Sequence, residues 1–162
     1  MLYLKKSKAQ LIMSDFLMGL VIFLIIVAIS VSLWNKNVYN MGLKEKRTEM
    51  ENLVLLISDQ MVKSSGIPGD WSSTTVAAIG LSKSDNVLDS SKVSNFVGLS
   101  KEKTKALLGI RNYNFIFRLR STNETILVEY GDLPSDASES VIGRRVVLYE
   151  GGSTIMDFGL WT

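Results

Sequence analysis

KKSKAQLIMSDFLMGLVIFLIIVAISVSLW, residues 5–34, sets three lysines and Ala9-Gln10 before a long apolar run with one acid, Asp15, near its start. From Phe16 to Trp34 there are nineteen residues without a charge, and only Gly19, Ser30 and Ser32 are less than fully apolar. A helix rises about 1.5 Å per residue, so about 20 residues cross a hydrocarbon core about 30 Å thick. The run is long enough to span, and Trp34 at its far end suits the water–lipid boundary. A buried helix of a soluble protein is usually shorter and carries a polar stripe. A secretory signal has a shorter apolar segment and a small-residue cleavage site behind it. Here Trp34-Asn35-Lys36 follows instead. The run is therefore expected to remain in the mature protein.

Orientation is less clearly written. Lys5, Lys6 and Lys8 favour a cytoplasmic N-terminus. Lys36, Lys44, Lys46 and Arg47 follow the run, partly offset by Glu45 and Glu49. Charge counting alone leaves the topology open.

The rest of the 162 residues reads as one soluble domain, and the net charge of +2 does not point to nucleic acid. With no cysteine and no histidine, thiol catalysis, disulfides, Cys/His zinc sites and a Ser-His-Asp triad are all excluded. No pair of carboxylates, nucleophile–base pair or cofactor loop stands out. The expectation is a protein that is not an enzyme, with no cofactor and no metal.

Basic residues, a small residue, Gln and then the apolar run resemble the class III signal of prepilins, of the archaeal type IV pilin-like kind. The matching residues are Lys8-Ala9, with Gln10 as the first mature residue. The resemblance implies that a membrane prepilin peptidase cuts between Ala9 and Gln10, removing the leader 1–9. Many members carry an acid as the fifth mature residue; here that position is Ser14, and Asp15 is the sixth. Two readings of Asp15 stand. A charge near the centre of a membrane helix costs roughly 2.5–3.5 kcal/mol on insertion scales, so such acids usually have partners. In a filament, the ammonium of Gln10 on another subunit is one. Alternatively, Ser14 caps the helix and Asp15 meets its positive end.

Beyond the apolar segment 10–34, residues 43–63 have a helical period. Leu43, Met50, Leu53, Val54, Ile57 and Met61 recur at three- and four-residue spacing. Residues 35–42 either continue the rod, with Gly42 as a kink point, or form a linker to a separate helix. A continuous helix from about residue 11 to 64 would be about 80 Å long. Ser64-Ser65-Gly66 and Pro68 end the stem at residue 64.

The head, 65–162, opens with Ile67-Pro68-Gly69, a tight turn in which Gly69 is expected at positive φ. A strand-like stretch follows over residues 75–80, then exposed serine-rich loops and a short helix starting near Ser90 or Ser91. Ser100 is expected to cap a helix that Gly109 stops. From Tyr113 the period becomes two. Strands are expected at 113–120, 125–130, 141–149 and 154–161, with Gly151-Gly152 as a hairpin signal. The fold class is α+β: a long N-terminal transmembrane and stem helix, and a head whose small antiparallel sheet, mainly 113–161, packs on the stem. The closing hairpin RRVVLYEGGSTIMDFGLW also looks like that of archaeal pilin-like proteins, as does the order from IPGDW to LLGIRNYNFIFRL.

Other motifs favour ordinary surface roles. Asp85, Asn86 and Asp89 lack the spacing of a calcium loop. Arg144 and Arg145 are adjacent on a strand and face opposite sides, so they form no single clamp. Asn123-Glu124-Thr125 is a glycosylation sequon in an expected hairpin turn, which makes Asn123 a candidate glycan site.

The resemblance implies a subunit of an archaeal cell-surface filament or related secretion-like assembly. Its partners would be the membrane, the peptidase and other pilin-like subunits. Small residues Gly19, Ala28 and Ser32 would allow close helix approach. The protein would be single-pass before assembly, with a cytoplasmic N-terminus and an extracytoplasmic head, and at the cell surface afterwards. The alternative is an uncleaved single-pass protein with an extracytoplasmic binding or sensory head.

Overall fold

A computed structural model describes residues 3–134 and 139–162; within the N-terminal helix, side chains are described from Ile12 onward, those of Asn40 and Leu43 excepted. The chain divides into two compact units, Met1–Glu45 and Lys46–Thr162. The N-terminal helix α1 is assigned to Tyr3–Lys63. Residues 35–42 are helical, so the separate-linker expectation is not met, and Gly42 does not end the helix.

The second unit holds the core. In α1, Met50, Val54, Ile57 and Met61 are 0–2% exposed, as their spacing requires. They join one cluster with Phe115, Phe117, Met156, Phe158 and Leu160. The remaining elements are β1 (Ser82–Ser84), β2 (Val87–Leu88), α2 (Ser90–Val97), α3 (Lys101–Leu108), β3 (Asn114–Ser121), β4 (Ile126–Gly131), β5 (Ser140–Tyr149) and β6 (Gly152–Trp161).

The six strands form one sheet in the order β1-β2-β5-β6-β3-β4. β5, β6, β3 and β4 are antiparallel neighbours, whereas β2 meets β5 in parallel at a single pair, Val87 with Leu148. The sheet is therefore mixed. Alternation sets its inner face: Phe115, Phe117 and Leu119 of β3 and Met156, Phe158 and Leu160 of β6 are fully buried. Ile116, on the opposite face, is nonetheless only 6% exposed. A Cβ placed on Gly159 would lie 3.3 Å from Ile116 Cγ2 and 3.1 Å from Ile142 Cγ1, so these three residues make a small apolar patch on the outer face.

The short helices close the inner face over β3 and β4. Asp89 caps α2 by accepting from the backbone N–H groups of Ser91 and Lys92. Phe96 of α2 meets Phe117 and Tyr130 edge-on, at 5.1 Å for each pair. Ser100 accepts from Lys103 N–H to start α3, and Gly109 at φ 70° ends it. Thr104 of α3, fully buried, pairs with Tyr130 Oη at 3.0 Å, and that hydroxyl donates to Leu99 O at 2.8 Å.

Two local expectations fail for identifiable reasons, and the β5–β6 hairpin forms where its glycines signal it. Residues 75–80 form turns with one isolated bridge, Ile67 with Ala78, because Val76 N–H is spent on Ser72 O at 3.1 Å. The short strands fall instead at 82–84 and 87–88, anchored by buried Leu81 and Leu88. In the turn after α1, Pro68 takes the first place, its carbonyl accepting from Trp71 N–H at 3.1 Å. The Ile67–Pro68 bond is cis, and positive φ falls on Gly66 rather than Gly69. The β5–β6 loop is Glu150-Gly151, both at positive φ, a two-residue hairpin turn; Gly152 already belongs to β6.

Candidate assembly surfaces

In the first unit, the uncharged run of α1 from Phe16 to Trp34 presents exposed apolar side chains all round the helix. The most apolar window is wholly unburied, and the helix is long and apolar enough to cross a membrane. Ile12 and Trp34 are each 71% exposed. Burying one large aliphatic side chain gains roughly 1.5–3 kcal/mol, so a run of this length strongly favours leaving water. Ser30 removes its own polar liability by donating to Ile26 O at 2.8 Å.

The helix sorts the sequence-predicted assembly residues by face. At about 100° per residue, Asp15 and Gly19 lie within about 40° of each other. Ala28 comes nine residues after Gly19, about half a turn round the helix, with Ser32 one turn beyond it on the same side. The three small residues do not form one stripe. Gly19 shares a face with Asp15 and Ser30, while Ala28 and Ser32 form a separate small-xxx-small pair. Asp15 is exposed in the helix interior, and α1 has no acidic residue in its first turn. The capping reading of Ser14 and Asp15 therefore fails, because the helix is already under way at Tyr3. Ala9 and Gln10 lie on the helical backbone, but their side chains are outside the described set.

In the second unit, the outer sheet face carries a charged row. Register aligns Arg144 of β5, Asp157 of β6, Arg118 of β3 and Glu129 of β4, one residue from each strand. Arg144 Nε donates to Asp157 at 2.8 Å, and Arg118 Nη2 contacts Glu129 at 2.7 Å. Arg120 adds a second guanidinium to Asp157, with Nε at 2.9 Å, and reaches Glu124 at 2.7 Å. The Asp157 hydrogen bond is the largest influence holding the Arg120 guanidinium protonated, against the opposing effect of burial. Asp157 is 7% exposed, so two charge-assisted partners answer its desolvation.

Arg145 turns to the other face and pairs with Asp59 of α1 at 2.7 Å. The two adjacent arginines are thus divided between faces, as strand geometry requires. Asp59 also accepts from Lys63 at 2.8 Å, and this bond leads in pulling its carboxyl below the usual range, with Arg145 assisting. Asn123 is exposed in the β3–β4 turn, where Ser121 N–H donates to Thr125 O at 2.8 Å. Lys92, 9% exposed, donates to the Ser65 and Ser82 carbonyls at 2.9 and 3.1 Å, tying α2 to the chain just beyond α1. Among the described residues, no group of three or more Asp, Glu, His or Cys gathers in a way that would hold a metal ion.

Sequence reading missed the row centred on Asp157. Its signal was present: an acid between Met156 and Phe158 in a strand, with Arg118 and Arg120 at alternate positions of a second strand and Arg144 in a third. No family model, no curated protein and no solved structure matches this chain.

Proposed function

We propose that the chain is a prepilin-type subunit of an archaeal cell-surface filament or a related secretion-like assembly. The observation that carries this reading is the apolar, wholly unburied stretch of α1, preceded in sequence by Lys8-Ala9-Gln10 and followed by a head with its own core. In the proposed mechanism a prepilin peptidase removes residues 1–9. The apolar segment 10–34 then exchanges lipid contacts for contacts with the same segment of other subunits, so that apolar surface never meets water. The Gln10 ammonium so created provides a counter-charge for Asp15 of a neighbour, which would offset the cost of placing that acid in an apolar bundle.

Intact mass of the chain extracted from its native membrane tests the reading. A mature chain beginning at Gln10 is expected, and Ala9→Trp should leave the leader attached. A chain that keeps Lys5, Lys6 and Lys8 with Ala9 unaltered overturns it and leaves a single-pass anchor for the head.

A further inference from the structure

The sheet ends in two open stretches of backbone. β4 pairs with β3 alone. β5 pairs with β6 along its length but with β2 only at Leu148, so residues 140–147 are open on that side among the described residues. Leu148 N–H donates to Asn86 O, away from β6. By alternation, the backbone groups of Val146, Arg144 and Ile142 point the same way. On β4, Asp132 N–H donates to Phe115 O, which puts Tyr130 in step with the bonds to β3 and turns Glu129 outward.

The two edges are complementary. β5, β6, β3 and β4 alternate in direction, so β4 runs opposite to β5. A second copy set beside the first in the same orientation offers its β5 antiparallel to β4. The charged row reads Arg144, Asp157, Arg118, Glu129 and ends on an acid; a second copy begins it again on a base. Docking Glu129 against Arg144 of the next copy continues the alternation of sign. It also brings Leu127, at the bulge where Leu119 pairs with Val128 and Arg120 with Ile126, near Val146; the two are 48% and 68% exposed. Pairing like edges would oppose Glu129 to itself or Arg144 to itself, which cross-strand neighbours disfavour.

We propose that the head carries a strand-pairing site for a second copy of this chain, with β4 of one copy adding to β5 of the next in the register that sets Glu129 opposite Arg144. The contact is heterologous, with a different patch on each side, so it repeats in a line rather than closing as a two-fold dimer. Backbone bonds supply the pairing, and the charged row selects the register. The inference needs two copies side by side and does not rest on leader processing.

The chain has no cysteine, so cross-links are unambiguous. The full-length Leu127→Cys/Val146→Cys variant is reconstituted in lipid vesicles, oxidised and run on a non-reducing gel. Directly opposed antiparallel residues stand about 5.5 Å apart at Cα, within disulfide reach. Dimers, trimers and higher rungs are expected. Adding Arg144→Glu should reduce the rungs several-fold, whereas Arg144→Lys should keep them. A yield no greater than that of a Leu133→Cys/Val146→Cys control overturns the proposal. So does Leu127→Cys alone linking as well as the double variant, or a ladder indifferent to Arg144→Glu. Intact mass on the same sample reports leader removal separately, so failure of either idea is distinguishable.

Discussion

Val54 of α1 lies against the backbone of Gly143 in β5: a Cβ at residue 143 would stand 2.5 Å from Val54 Cγ1. The helix and sheet approach this closely because glycine leaves the space open. Gly143→Ala should destabilise the head by about 1–3 kcal/mol through overpacking. Val54→Ala in the same chain should restore part of that loss, because it removes the methyl groups in the way. Thermal unfolding of both variants in detergent checks this; equal melting temperatures for Gly143→Ala and wild type would refute the close packing.

Asp157 gathers Arg120 and Arg144 on a face that is otherwise partly open. Asp157→Ala takes the acceptor from Arg144 and leaves Arg120 only Glu124, and should lower the melting temperature clearly. Asp157→Asn, which keeps the shape and one acceptor oxygen, should lower it less. Arg144→Ala should matter least of the three, because its side chain is already 61% exposed whereas that of Arg120 is 13% exposed. A reversed order in unfolding experiments would show that Arg120 does not depend on this carboxylate.

Elements with strong periodicity were legible in the sequence. The stripe Met50, Val54, Ile57 and Met61 and the alternation of Phe115, Phe117 and Leu119 fell where their spacing placed them, since burial of a repeated face is a property of neighbours in the chain. The caps at Ser100 and Gly109 were legible for the same local reason. What escaped was set across distance. Residues 75–80 look extended, yet their hydrogen bonds go to Ser72 and Ile67. The single-pair contact of β2 with β5 and the charged row need strand register, which composition does not encode. Of the residues proposed for assembly, helical geometry divides Gly19 from Ala28 and Ser32, a division that their types alone do not give.

The pair made by Asp59 and Arg145 joins the stem helix to β5, and its pH dependence has a definite sign. The folded state lowers the Asp59 carboxyl below its ordinary 3.8, first through Lys63 and then through Arg145. A carboxyl with a depressed folded value contributes stability above its unfolded value and loses it as pH falls through the folded one. Wild type should therefore melt above Asp59→Asn near neutral pH, with the gap closing as pH falls below 3.8. The gap should be small and shrink in salt, because all three side chains are accessible to solvent. Melting curves at several pH values measure it; a gap that widens on acidification would contradict the sign.

The division of small residues between helix faces bears on the proposed bundling of the apolar segments. Ala28 and Ser32 are one turn apart, so together they leave a shallow site where another helix backbone can come close. Gly19 has no second small residue one turn away on its face, its neighbours there being Asp15 and Phe23. Helix pairing through van der Waals contact should thus be more sensitive at Ala28 and Ser32. Ala28→Leu with Ser32→Leu should weaken self-association of the full chain in vesicles, read as reduced energy transfer between labelled copies. Gly19→Leu should weaken it less. A larger loss from Gly19→Leu would place the contact on the face of Asp15 instead. Asp15→Asn would then be expected to change the transfer as well, because an acid buried in that contact depends on a partner.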